Sequence, residues 1–290
     1  MLDTIKRNNQ EMQLACSRLK RDLDELVNLR PMPNVALRLL AACREAQPNI
    51  KEIVELIECD PVIAVRVLAI ANSALYGYSR QIGTLSQAVV VLGFKNLSLL
   101  AVMLSTGEVY KQGEVARKPR RELYEHSLAC ATVARLLSPM DATIDSGAAF
   151  LAGMLHDVGK LILIDLAPNS YAELKAEMQA TSSVLVEDQH FGMDHTAIGR
   201  FYGEHWGLPY NINQAIAEHH LPMDQIDQSL STITRMANLL TKKWGLGQEG
   251  EAESETDYVP DWLSSVDEAM IDRTREAAAT QFELIKSLCN

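Results

Sequence analysis

Leu151-Ala152-Gly153-Met154-Leu155-His156-Asp157-Val158-Gly159-Lys160-Leu161 is an apolar run with a histidine, a carboxylate and a lysine set into it. Neighbouring residues on a helix point about 100° apart. His156 and Asp157 are therefore poorly placed to clamp one centre as an i, i+4 pair does. They suit a centre beside a helix end, toward which both side chains turn. Gly159 lets the chain break or bend, and Lys160 follows about one turn after His156. A carboxylate buried alone among apolar side chains is costly, so Asp157 needs a partner. A cation can fill that role, and so can His156, Lys160 and backbone donors.

Working outward, residues 147–166 read as one central apolar element and residues 121–138 as a strong helix carrying His126. A lone histidine on such a helix is ordinarily a core or surface group. His126 is set apart by its place one helix ahead of the His-Asp pair. Helical stretches follow at residues 171–180 and 183–190. His195 opens a helix running to His205 and Trp206, and Pro209 starts the next, which ends in Glu218-His219-His220 before Pro222. His219 and His220 have a second reading, as imidazolium groups stabilising a helix C-terminus. His190 and His205 read as lying outside any ligand set. Residues 226–244 are the last helix of this half.

Toward the N-terminus, residues 4–29 form an amphipathic pattern with Met12, Cys16, Leu19, Leu23 and Leu26 on one face. This is a core helix or a face for a partner or second copy. Pro31 and Pro33 stop it. Helices follow from Val35 and over residues 50–59. Asp60-Pro61 is a start signal, with Asp as N-cap and Pro in the first turn. The helix over residues 62–75 is apolar on most sides and so buried. Residues 82–92 are closed by Gly93, and residues 95–105 form one more helix. Asn72 and Ser73, polar at the end of a buried helix, read as capping and turn residues. Residues 107–119 form the junction between halves, with the basic run 117–121 as a solvated connection.

Nearly half of the 290 residues (47%) are hydrophobic, enough for a sizeable core, and the abundance of Ala, Leu, Met and Glu points to an all-α protein. A net charge of −11 argues against a nucleic-acid surface, which needs a basic patch. The five cysteines form no C-x-x-C pair and read as buried thiols of a reducing cytosol. The N-terminus lacks the apolar run of a signal peptide. The most apolar region, read as residues 85–106, is interrupted by Gly93, Lys95 and Asn96 and falls short of a membrane span. The expected location is therefore cytoplasmic, with no membrane partner. Residues 245–257 read as an acidic linker and residues 258–290 as a helical tail that docks on the body or on a second subunit.

Asp60-Pro61, Val67-Leu68, Ala71-Asn72-Ser73, Ile82, Ala88-Val89 and Leu92-Gly93 occur in an order that resembles the HDOD family, the HD-related output domain. Arg30-Pro31-Met32-Pro33 fits its proline-containing lead-in, and the likeness runs from about residue 26 to residue 242. The resemblance implies an all-α bacterial signalling protein, with an N-terminal helical bundle (residues 30–112) packed on an HD-like helical domain (residues 113–244). Residues 1–29 would be a separate N-terminal helix. The wider HD superfamily implies metal ligands in a histidine, a His-Asp pair and a later aspartate. These map onto His126, His156 and Asp157, but Asn238 stands where the aspartate should be. Asn238 offers a neutral oxygen, so the set loses one negative charge. The related HD-GYP hydrolases of cyclic diguanylate imply further histidines, matched by His195, His219 and His220, and a lysine matched by Lys160. Their Gly-Tyr-Pro motif is missing, since Leu221-Pro222-Met223 follows His220.

Two functions are expected from this. The first is a non-catalytic signalling module with a protein partner, possible pairing as a homodimer, and a residual metal pocket. The second is a metal-dependent phosphohydrolase acting on a nucleotide or other phosphoester, with Asp157 and Lys160 catalytic. The ion in either case would be divalent iron, manganese, zinc or nickel.

Overall fold

Prolines and glycines set many of the helix ends, and the helices they delimit build an all-α fold. The computed structural model describes residues 34–43, 45–59, 61–72, 82–111, 117–226, 229–247 and 268–289. The expectations for residues 1–29, Arg30 to Pro33, Asp60, Ser73 and most of the acidic linker lie outside these. In order the helices are α1 (Asn34–Cys43), α2 (Ile50–Glu58), α3 (Pro61–Ala71), α4 (Leu85–Lys111), α5 (Arg117–Leu137), α6 (Ser146–Leu155) and α7 (Val158–Leu166). Then follow α8 (Pro168–Ala180), α9 (Ser183–Phe191), α10 (His195–His205), α11 (Tyr210–Glu218), α12 (Ser229–Trp244) and α13 (Glu268–Cys289). Among the described residues no strand occurs.

Helices α1 to α4 pack on one another, and α4 also meets α5 and α6. α5 lies at the centre of the second half, against α6, α12 and α13. α7 packs on α10, and α11 on α10 and α12. One hydrophobic cluster runs without interruption from Leu39 to Ile285. Gly93 breaks α4 as expected: its φ of +70° and ψ of 158° are non-helical and place it in the region favouring glycine. Asn72 acts as a turn residue. Its amide donates to the Leu68 and Ile82 carbonyls (2.9 Å each) and its Oδ1 accepts from the Ile82 backbone N–H at 2.7 Å.

Several expectations need correction. The central apolar element does break into two helices, but at His156 and Asp157 and not at Gly159. The long run best matching a bilayer span is Ser146–Leu166, with mean hydropathy 1.5, and 94% of it is buried inside the fold. The basic run at 117–121 is not a solvated connection but the first turn of α5. Pro119 is tolerated there because first-turn N–H groups have no helical acceptor. Arg120 is buried and ion-paired with the buried Asp165 of α7. Cys43 and Cys130 are buried, but Cys59 is exposed at the end of α2. The tail helix docks on the body. Ala278, Phe282 and Ile285 are buried, and Lys286 Nζ meets Glu125 Oε2 of α5 at 3.0 Å.

Candidate metal centre

The site begins with the break between α6 and α7. Asp145 caps α6 by accepting from the N–H groups of Gly147 and Ala148. The helix then runs to Leu155. His156 keeps helical angles, but Asp157 turns to φ −100°, ψ 13°, and α7 starts afresh at Val158. Both side chains thereby face the same interior space. The bend is at Asp157 and not at Gly159. Gly159 serves another purpose: a Cβ there would collide with the His195 carbonyl, so glycine lets the backbones of α7 and α10 touch. Gly153 does the same against α5, where a Cβ would lie 2.7 Å from the Ala131 Cα. These contacts bring His126 and His195 toward Asp157.

The seven residues expected to accompany Asp157 all gather around its carboxylate or its neighbours. On the Oδ2 side, His156 Nε2 lies at 3.3 Å, His126 Nε2 at 3.8 Å and Lys160 Nζ at 3.1 Å. Asn238 Oδ1 sits 3.1 Å from His126 Nε2. On the Oδ1 side, His195 Nε2 lies at 3.3 Å and His219 Nε2 at 3.4 Å, with the two nitrogens 3.2 Å apart. The His220 ring lies 4.3 Å from that of His219, centroid to centroid, tilted by 54°. His190 and His205 are exposed and stand apart, His190 within 3.6 Å of Glu177.

The imidazoles are held from behind. His156 Nδ1 donates to the Gly153 carbonyl at 2.8 Å, and His219 Nδ1 to the Ile216 carbonyl at 2.7 Å. His195 Nδ1 meets Glu187 Oε2 at 2.5 Å, and the same oxygen accepts the His195 backbone N–H at 2.8 Å. Such partners fix the ring and leave the other nitrogen for a metal. Arg235 Nη1 donates to the His219 carbonyl at 3.0 Å and ties α12 to the end of α11. Sequence reasoning missed Glu187 and Arg235. A charged residue in an amphipathic helix reads as a solvated one, and Glu187 is fully buried. The only signal was its place eight residues before His195.

Burial disfavours charge at every member, and local charges then sort them. Burial, with His156 nearby, brings the pKa of His126 down to about 3. Burial alone would lower His156, but the adjacent Asp157 charge outweighs it, with help from Cys130, and carries it up to about 10. Burial also opposes charge on His195, yet Glu187 lifts it to about 9. Burial lowers His219 to about 3 and pushes His220 down too. His219 and His220 are therefore neutral near pH 7 and do not serve as imidazolium caps of α11. Burial works to raise Asp157, but His156 and Lys160 hold it well below the usual carboxylate range.

The donor set suits a first-row divalent ion: imidazole nitrogens and a carboxylate, with Asn238 as a neutral oxygen. Two groups meet the spacing, Asp157 with His126 and His156, and Asp157 with His195, His219 and His220. The ligand atoms of each lie within 4.8 Å of one another. Two ligands about 2.1 Å from one ion at right angles stand about 3.0 Å apart. The spacings of 3.1 and 3.2 Å found here match that geometry. His156 Nε2 and both Asp157 oxygens are buried without a well-aligned hydrogen bond, as ligand atoms awaiting an ion would be.

A family model for the HDOD domain matches residues 29–222. An uncharacterized protein of Treponema pallidum (strain Nichols) is 23% identical over 217 residues, 73% of this chain and 42% of its own length. Uncharacterized protein YuxH of Bacillus subtilis (strain 168) is 27% identical over 124 residues, 43% of this chain and 30% of its own. The chain thus spans less than half the length of these curated relatives. Among solved structures, a candidate signal transduction protein of Marinobacter aquaeolei VT8 has a TM-score of 0.74 at 24% identity, over 92% of this chain and 60% of that one. A candidate phosphohydrolase of Shewanella amazonensis SB2B has a TM-score of 0.70 at 21% identity, over 92% and 98%. At these identities the likeness shows the fold.

Proposed function

The chain belongs to the HDOD domain family, and from that premise we propose that it is a non-catalytic signalling module whose HD-type half holds one divalent ion. The ion ties the α6–α7 break to its neighbours, through His126 of α5 or through His195, His219 and His220 of the α10–α11 side, and the body so fixed offers its surface to a protein partner. One observation carries this reading. Among the described residues, Asp157 is the one carboxylate in the two candidate ligand groups, Lys160 already takes up its Oδ2, and Asn238 already takes up His126 Nε2.

Metal-assisted hydrolysis needs an open ligand position reachable by substrate. His126, His156, Asp157, Lys160, His195, His219 and Asn238 are each 2% exposed or less. A bound ion would supply Lewis acidity in principle, but here its main effect is cross-linking of helices. The second reading, a metal-dependent phosphohydrolase, draws its support from Lys160 beside Asp157, where an ammonium could steady a phosphate.

Elemental analysis of untagged protein beside an Asp157→Ala variant, with turnover assays on nucleotides and phosphoesters, separates the two. We expect near-stoichiometric metal that disappears in the variant, and no turnover in either. Steady hydrolysis abolished by Asp157→Ala would replace the first reading with the second. Pairing through residues 4–29, which lie outside the described structure, is checked by deleting them and measuring mass in solution.

A further inference from the structure

We propose that the seat of the tail helix across α5 and α3 is a docking groove for an amphipathic helix of the signalling partner, and that α13 fills it in cis until that helix arrives. The inference rests on the signalling reading above and names where the partner binds.

The first support is how α13 is held. α5 is buried without interruption from Leu123 to Ala134, as a core helix is. Among the described side chains of α13, only Ala278, Phe282 and Ile285 are buried. They stand at i, i+4 and i+7, the spacing of anchors on a helix laid into a groove. A small, an aromatic and a branched aliphatic side chain therefore define the apolar part of what the seat accepts.

The second is the polar end of the seat. Glu125 is 5% exposed. Lys286 Nζ meets its Oε2 at 3.0 Å and lies 5.3 Å from the centre of the Phe282 ring. The seat thus asks for a cation one residue after the last apolar anchor. Arg121 Nε stands 3.3 Å from Oε1 of the same carboxylate. When α13 leaves, Arg121 keeps a positive charge beside Glu125, so the vacated seat does not strand a buried anion.

The third is placement. The seat crosses from α5 of the HD-like half to α3 of the N-terminal bundle, so its occupant touches both halves at once. The connection to α13 leaves the body beside the seat. Gly247 lies on α5, where a Cβ would come 2.7 Å from the Glu125 carbonyl oxygen and the His126 Cα. Residues 248–267 then tie this point to α13. Such a tie keeps the tail near its seat at an effective concentration on the order of millimolar. A partner helix must outcompete α13 or find its grip loosened.

The test is fluorescence anisotropy of a labelled synthetic peptide of residues 268–290 against the full chain. Phe282→Asp in the chain spoils the grip of the tethered tail and should admit the peptide at least about 10-fold more tightly than wild type. Lys286→Ala in the chain disturbs folding far less and should admit it about 1.5–5-fold more tightly, the range for a partly exposed ion pair. A peptide carrying Lys286→Glu keeps the apolar face and should bind either variant at least about 10-fold more weakly. Equal binding of the two peptides would mean non-specific adhesion and overturn the proposal. No gain in either variant would make α13 an integral part of the fold and overturn it too. A doubled mass of the wild-type chain in solution that Phe282→Asp abolishes would overturn it in favour of tail exchange between two copies. None of these outcomes touches the metal and turnover assays, which judge the underlying reading separately.

Discussion

Charge is buried twice between the α5 and α6–α7 segments, and the two places are built on opposite lines. Arg120 and Asp165 meet as one cation and one anion, 5% and 4% exposed, at the start of α5 and the end of α7. Asp157 instead collects nitrogens from α5, α7, α10 and the end of α11, more than one carboxylate can satisfy. The first is a one-to-one pair that holds two helices. The second crowds four imidazoles and an ammonium around one carboxylate, which packing alone would not select. The contrast tells a structural charge from a functional one better than burial does, since both are equally deep.

The largest effect should come from the one-to-one pair. Arg120→Ala strands a buried carboxylate and should destabilise the fold by about 3–5 kcal/mol in urea unfolding. The folded fraction should still bind metal. A cost under about 1 kcal/mol would erase the distinction. Next in size is the metal itself. At an ion concentration 100 times Kd, stability should rise by about 2.7 kcal/mol, and a chelator should remove the gain. Asp157→Asn should abolish that increment, whereas Arg120→Ala should keep it.

Smaller again is the cap of α6. Asp145→Ala should cost about 1 kcal/mol. Burial pushes the Asp145 carboxyl up, but Lys95 and the N–H groups of Ala148 and Gly147 outweigh it and hold the pKa below 3.8. A group with a depressed folded pKa contributes fully above its unfolded value, and the contribution fades as pH falls through the folded one. The gap between wild type and Asp145→Ala should therefore hold near neutrality and close below 3.8, as followed by acid titration of stability. Smallest is Lys286→Ala at the docked tail. The ammonium of this pair stays partly in water, so the pair is worth about 0.2–1 kcal/mol, and Arg121 remains beside the buried Glu125. A larger loss by thermal melting would make the tail a structural part of the centre.

Much of this was legible in the sequence. Pro61, Gly93, Pro209 and Pro222 marked helix limits, because they act through local backbone chemistry. The cluster around Asp157 was legible because a His-Asp pair in an apolar run needs partners. What stayed hidden depends on distant packing. Glu187 looks like any helix carboxylate until α9 folds against α10. Arg120 looks like part of a basic surface until α7 brings Asp165 to it. The split of the Asp157 cluster into two sides is likewise invisible along the chain, because Gly159 and Gly153 create it by backbone contact.

The break at His156 and Asp157 has a consequence for how the chain leaves the ribosome. Ser146–Leu166 has the length and apolarity of a bilayer span. His156, Asp157 and Lys160 fall near its midpoint, where an Asp or Lys opposes membrane insertion by about 2.5–3.5 kcal/mol each. The residues that gather at the centre of the folded protein thus also steer the nascent segment away from lipid. A knockout that replaces them with leucine would remove the site and the steering together. Asparagine and glutamine are the substitutions that probe the site while keeping the segment out of the membrane.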